Sequence, residues 1–400
     1  MLVSQEPKIG KIAEMIEKSL MRVGKWVEDQ DYKGYEPFDG LSSYIRPLVS
    51  KNLFLERILQ QLVRQSPVNL RPLLGIKPRE STKGRGYMAW GYLNMFKVSK
   101  DPIWKEKAFL CLDWLDRNKS PKYMHHSWGN SFDYASRSGR IPKDEPTIVW
   151  TSLIGQVFLE AYELFLEKRH LDVINSIKEW ILSLPREQTE RGLCLSYIAP
   201  EQSSIHNSNM LGSAFLSQVA QITGDSVTRE LAREAMLYSC TRQLPDGAWY
   251  YGEDPMNHWI DNFHTGYNLD SLHRYIDASG SSEFTENLKM GYDFFKNHFF
   301  EDSGCPKYYY NRMHPIDIQC AAQAIDTLVL FCEEDQDSLK LAEKVAAWTI
   351  DNMQGDDGHF YYRIYPGGIK AKAPMIHWGQ ATMFKSLASL LSMVVIRSRR

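Results

Sequence analysis

AREAMLYSCTRQLPDGAWYY, residues 232–251, decides the fold. It opens as an amphipathic helix with a late aromatic, Tyr238, passes through Gln243, turns on Pro245-Asp246-Gly247 and ends in aromatics. The same order recurs at residues 342–362, AEKVAAWTIDNMQGDDGHFYY, with Trp348, Gln354 and Gly358 in the matching places. Looser copies run over 108–128, 173–197 and 289–310, and 26–40 reads as a first one. Between the copies lies a second texture, a smaller and more apolar helix that opens on polar or aromatic residues. Its instances are GYMAWGYLNMF from Gly86, TIVWTSLIGQVFL from Thr147, IHNSNMLGSAFL from Ile205, DNFHTGYNLDSL from Asp261, PIDIQCAAQAIDTL from Pro315 and MIHWGQATMFKSL from Met375. Anchored on Trp90, Trp150, His206, His264, Ile318 and His377, the steps are 60, 56, 58, 54 and 59 residues.

A period of roughly 57 residues fits two helices of ~15 residues and two loops. Gly91, Gly155, Gly212, Gly266, Ala321 and Gly379 in the second texture permit close approach toward a ring centre. Six such pairs predict an all-α fold, an α/α toroid of about six hairpins, with short β-hairpins at one rim. The expected organisation is one domain over 1–400, with residues 1–80 completing the ring and Leu53–Gln65 as an additional helix. Ring closure brings every inner-helix start to one end, where unpaired N–H groups and positive dipole ends converge into a cup for a polar or anionic ligand.

Composition narrows the function. Basic and acidic residues number 47 and 49, with no long run of one sign, which argues against a nucleic-acid partner. The basic tail 397–400 reads as a solvated end. Residues 1–6 show no charged-then-apolar leader, and no stretch reads as a transmembrane segment; 387–396 comes nearest and reads as a buried last helix. The six cysteines form no CxxC pair, which suits reduced, buried thiols and a cytoplasmic location. His125-His126 lacks a third ligand at a usual spacing, so neither metal nor cofactor is expected.

Gln243–Trp249, QLPDGAW, resembles the QW motif of squalene-hopene cyclases and related prenyltransferase barrels. That resemblance implies a structural tie; the acid and diphosphate motifs of those enzymes, DxDD and DDxxD, are absent. YEPFDGL at 35–41, SPVNLRPLLG at 66–75 and the segment 357–387 resemble the VpsJ-type polysaccharide biosynthesis family, toroids of exopolysaccharide gene clusters. FHTGYNLDSL within 261–272 is similar to a helix start of glucuronyl C5-epimerase toroids. Together these imply a carbohydrate-active enzyme acting on an acidic, uronic-acid-containing glycan by C5 proton abstraction or by glycoside hydrolysis. They also imply association with other polysaccharide biosynthesis proteins. An isoprenoid cyclase-like protein and a non-catalytic glycan-binding scaffold are the alternatives.

Candidate residues follow from the rim. His258, Trp259, Asp261, His264 and Tyr267 crowd one loop and helix start, with His264 and Tyr267 three apart on one face. Asp261 also has the chemistry of an N-cap. Alternation in HFYYRIY predicts a strand with His359, Tyr361 and Arg363 on one face, followed by His377, Trp378 and Gln380. Tyr308, Tyr310 and Arg312 repeat that arrangement, so Arg312 and Arg363 are the expected carboxylate clamp beside a His264 or Tyr267 base. Trp128, Asn130, Asp133 and Glu145 form a third cluster, and Asp133 and Glu145 with Asp261 are the carboxylates a glycosidase would need. His206 and Asn209 open another inner helix. Lys83-Gly84-Arg85-Gly86 precedes one more and offers cations to a carboxylate or phosphate, without the spacing of a P-loop.

Overall fold

The computed structural model describes residues 10–136 and 139–398. The leader reading at 1–6 and the last two residues of the basic tail lie outside them. Thirteen α-helices are assigned among the described residues: α1 (Lys11–Asp29), α2 (Leu53–Gln65), α3 (Thr82–Ser99), α4 (Pro102–Arg117), α5 (Ile148–Phe165), α6 (Lys168–Leu182) and α7 (His206–Thr223). They continue with α8 (Ser226–Cys240), α9 (Asn262–Ser279), α10 (Thr285–His298), α11 (Ile318–Leu330), α12 (Gln336–Met353) and α13 (Thr382–Ser398).

The α/α toroid is as expected. Helices α3, α5, α7, α9, α11 and α13 each pack on the next, and α13 packs back on α3. Outside them stand α4, α6, α8, α10 and α12, while α1 takes the sixth outer place against α13. The chain start therefore supplies the partner of the last inner helix. Helix α2 takes no ring position and is packed on the short helical turn Asp39–Ser42 and on the short strand Tyr134–Ala135.

Inner helices pass to outer ones through tight links, and a left-handed residue ends four of them: Lys100, Leu166, Gly224 and Gly280. The return links are longer and carry the strands. β1 (Lys33–Gly34) pairs with β2 (Arg79–Glu80), β3 (Tyr134–Ala135) with β4 (Arg140–Ile141), and β5 (Arg186–Thr189) with β6 (Gly192–Leu195). β8 (Arg363–Tyr365) lies between β7 (Ile316–Asp317) and β9 (Ile369–Ala371).

The QW-like stretch is a clip between neighbouring outer helices. Trp249 is buried and its Nε1 donates to the Ser239 carbonyl at 3.0 Å, while Gln243 Nε2 donates to Gly247 and Asn287 carbonyls. Gly247 has φ 92°, and a Cβ there would meet the Met290 carbonyl of α10 at 2.2 Å, so glycine is required twice over. Gln354 and Gly358 repeat the clip onto α1, where Gln354 Nε2 donates to the Ser19 carbonyl at 3.2 Å. Trp128 copies Trp249, with Nε1 on the Leu115 carbonyl at 3.0 Å.

The main core fills the space between the two rings, and a smaller one, Leu41, Leu59, Val63, Ile76 and Ala135, lies under α2. Inner helices interlock closely: a Cβ on Gly91 would sit 2.4 Å from the Phe384 ring, and one on Gly155 2.5 Å from Phe215. Two helical stretches, Ile148–Phe165 and Ile376–Ser398, have a membrane span's length and hydropathy, against the sequence reading. Each is 72% buried inside the ring, which accounts for its apolar composition.

Candidate active site

A cavity of about 580 Å³ opens at the end where the inner helices begin. Four of the starts contribute directly to its wall: Lys83 from α3, Val149 and Trp150 from α5, Asn207 from α7, and Phe263, His264 and Tyr267 from α9. Tyr308 and Tyr309 enter before α11, and His377 and Trp378 before α13. These last two sit on a π-helical turn, Ile376–Ala381, whose wider winding sets their positions relative to α13. The loop 36–38 and the α2 residues Arg57, Gln61 and Arg64 complete the mouth.

Asp261 is both cap and orienter. One carboxylate oxygen accepts from the His264 backbone N–H at 3.0 Å; the other accepts from His264 Nδ1 at 2.7 Å and Trp259 Nε1 at 3.0 Å. Nδ1 therefore carries the proton, and Nε2 is left with its lone pair for a ligand. Tyr251 stacks on Trp259 with centroids 4.4 Å apart and tilts against His264 at 4.6 Å.

A second carboxylate–imidazole pair faces the same space: Glu36 contacts His377 Nδ1, and both side chains are buried. Burial pushes the His377 pKa down, opposed by Glu36. Glu36 is held by the two family-like motifs locking together. Arg71 Nε donates to the Asp39 carboxylate at 2.8 Å, Arg71 donates to the Glu36 carbonyl at 2.8 Å, and Asp39 accepts from the Glu36 N–H at 3.0 Å.

Lys83 lies between the pairs. Its Nζ donates to the Tyr267 hydroxyl at 3.3 Å and stands 5.7 Å from the Trp150 centroid, and Trp150 in turn stands 5.0 Å from His377. Tyr267 also accepts from Gln319 Nε2 at 3.0 Å and meets the Tyr87 hydroxyl at 3.2 Å. Burial pushes the Lys83 pKa down to about 7, with Glu36 opposing and Lys385 assisting, and burial raises that of Tyr267. Asp261, His264, Tyr267, Lys83, Trp150, His377 and Glu36 thus form a continuous arc.

Of the residues expected from sequence, Asp261, His264, Tyr267, Trp259, His377, Trp378, Lys83, Asn130 and Tyr308 line this cavity. The others are placed elsewhere. Arg363 is a correction: it is buried, and its Nε donates to Asp317 at 2.5 Å across the β7–β8 register, because the α11 cap needs a counter-charge. Arg312 lies 4.1 Å over the Tyr309 ring and outside the lining, so the expected clamp does not form. The guanidinium groups at the mouth are Arg57 and Arg64 instead. Arg64 Nε donates to the Tyr362 hydroxyl at 3.2 Å, and Arg57 has no ion pair among the described residues.

Alternation fails at both aromatic runs. Only Arg363–Tyr365 of HFYYRIY is a strand, Tyr361 is covered by Lys370 and Lys372, and a turn at Tyr309 sends Tyr310 to solvent. His206 is turned back onto Ser239 and Glu253, and Asn209 bonds the Leu195 N–H and the Ala235 carbonyl. His258 stacks on Tyr250 at 4.2 Å, and Gln380 bonds both backbone groups of Phe360. Trp128 is core. Asp133 pairs with Arg46, and Glu145 with Lys122 and Tyr123, so no glycosidase trio assembles. The described residues contain no cluster of three or more His, Cys, Asp or Glu able to hold a metal ion.

Sequence reasoning missed Glu36, Arg57 and Arg64. The first was legible only as part of YEPFDGL, and the arginines only as a face of α2.

No family model matches the chain, and no curated protein matches it. Solved structures do. An unsaturated glucuronyl hydrolase specific for heparin superposes with TM-score 0.63 at 12% identity, over 96% of this chain and 97% of that one. A polysaccharide lyase gives 0.58 at 10%, over 98% of each chain. The cellobiose 2-epimerase of Bacillus thermoamylovorans B4167 gives 0.58 at 10%, over 78% of this chain and 90% of that one. At such identities the likeness is one of fold, the α/α toroid.

Proposed function

We propose that this chain is a carbohydrate-active enzyme that abstracts the C5 proton of an acidic, uronic-acid-containing glycan. It then either returns a proton to C5, as an epimerase does, or gives it to the leaving oxygen at C4 as the 4,5-double bond forms, as a lyase does. The observation that carries the reading is the state of the two buried carboxylates of the cavity. Asp261 already accepts from three donors and Glu36 is buried against His377, so each serves an imidazole. Two-carboxylate hydrolysis needs both groups free to flank one bond. Proton transfer needs what is present: His264 Nε2 as a base, and Tyr267 with Lys83 as donors for the charge that develops on the substrate carboxylate. His377, buried beside Glu36, is the second acid–base group. Arg57 at the mouth is suited to hold the sugar carboxylate and replaces the clamp expected from sequence.

The charged arc also weighs against an isoprenoid substrate, whose cavity would be dry and aromatic. The toroid likeness to glycan-acting enzymes and the exopolysaccharide-family motifs support the substrate class and a place in polysaccharide production; a cytoplasmic setting rests on the scattered thiols alone.

Incubation of the protein with uronic-acid oligosaccharides in deuterated water tests the reading. Deuterium should enter at C5 of a uronate, or a 4,5-double bond should appear at a new non-reducing end, and neutral oligosaccharides of equal length should stay unchanged. New reducing ends without a 4,5-double bond and without deuterium would replace proton transfer by hydrolysis.

A further inference from the structure

Helix α2 carries three faces. Glu56, Leu59, Gln60 and Val63 are buried on the small core, and Arg57, Gln61 and Arg64 line the cavity mouth. The third stripe, Phe54, Ile58 and Leu62 at helical spacing with Leu55 beside it, is exposed: Phe54 by 66% and Leu62 by 62%. The apolar surface continues in the flanking turns, where Leu48 is 84% exposed and Leu73 73%. Of the 18 large hydrophobic side chains exposed among the described residues, eight fall within residues 44–73. Scattered single apolar residues need no explanation; this concentration does.

Charge selects the partner. Residues 44–79 hold seven Arg and Lys against one acid, in a chain whose totals are otherwise balanced. That acid, Glu56, is fully buried against Arg140 and Arg46. Lys51 and Lys77 are exposed and, among the described residues, unpaired. The segment therefore presents protruding Leu and Phe, free ammonium groups and no exposed carboxylate. A soluble polyanion would use the cations but not the apolar stripe.

We propose that this face is a docking surface for an anionic lipid bilayer, with the α2 stripe entering the headgroup region and the lysines meeting lipid phosphates. Because the adjoining face of α2 lines the cavity, docking sets the mouth beside the membrane and within reach of a glycan carried on it. The surface stands independently of the chemistry proposed above.

Co-sedimentation of the full chain with phosphatidylglycerol/phosphatidylcholine vesicles tests it, against vesicles of phosphatidylcholine alone. The protein should pellet with the anionic vesicles, and less so as salt rises. Phe54→Glu and Leu62→Glu should each weaken binding about tenfold or more, while Leu110→Glu, on the equally exposed α4 surface, should not. Unchanged circular dichroism and melting would show the variants folded. Absence of binding to anionic vesicles would overturn the proposal, as would a wild-type dimer that Leu62→Glu dissociates, since the stripe would then belong to a second copy. Binding that survives Phe54→Glu and Leu62→Glu but follows charge alone would also overturn it, and would assign the surface to a soluble polyanion.

Discussion

Asp261 shows how one side chain joins stability to chemistry. Asparagine in its place keeps a capping oxygen for the His264 N–H, so unfolding in urea should shift by no more than about 1 kcal/mol. It also presents a donor where a carboxylate accepted, which turns the His264 tautomer and should lower turnover by about 10³-fold or more, as measured by deuterium incorporation. Lys83 makes a pH-dependent contribution. Its pKa of about 7 in the fold lies below the value it regains on unfolding, so the unfolded chain binds more protons between those limits. Stability from this group therefore rises as pH climbs from about 7 toward ~10, and its burial penalty is fully present below 7. Lys83→Met should melt higher than wild type at pH 6, and calorimetry should find that advantage shrinking by pH 10. Single residues were legible where local spacing controls direction: His264 and Tyr267 share a helix face three residues apart. They were illegible where a partner far along the chain decides, as Asp317 does for Arg363, 46 residues away.

Elements were read more fully than side chains. Five of the six anchors fell at inner helix starts and Trp90 midway along α3, because the repeat is a property of packing: each inner helix must be small on one side, and each outer one must clip the next. Helix α2 was legible as a helix, Leu53–Gln65, but its relation to the ring was not, since nothing in its own pattern says which neighbours bury Val63. The π-helical turn at Ile376–Ala381 was also invisible, because MIHWGQ suits an ordinary helix equally well. That turn is anchored by Gln380, whose amide donates to the Phe360 carbonyl at 2.8 Å and accepts from its N–H at 2.7 Å. Gln380→Ala leaves both backbone groups buried and unpaired. It should destabilise by about 1–3 kcal/mol in urea denaturation and weaken turnover through displaced His377 and Trp378.

At the scale of the whole molecule, the ring has a seam. Helix α1 lies against α13, so the first and last described helices form a hairpin that no peptide link joins. The other five inner helices pass to their outer partners by short connections at the end opposite the cavity, such as Gly224-Asp225 between α7 and α8. Deleting residues 1–40 should therefore remove Glu36, expose the α13 face and abolish cooperative melting, which calorimetry would register. The site itself straddles the seam, with Glu36 from one end of the chain and His377 from the other. For this protein the order of the sequence is thus separable from the shape it makes. A circular permutant in which a short linker joins residue 398 to residue 11, with new termini opened between Gly224 and Asp225, should close the same ring around the same seven-residue arc. Translated in that order, Glu36 and His377 would fall on one continuous stretch, and the two ends of the present chain would become the middle of another.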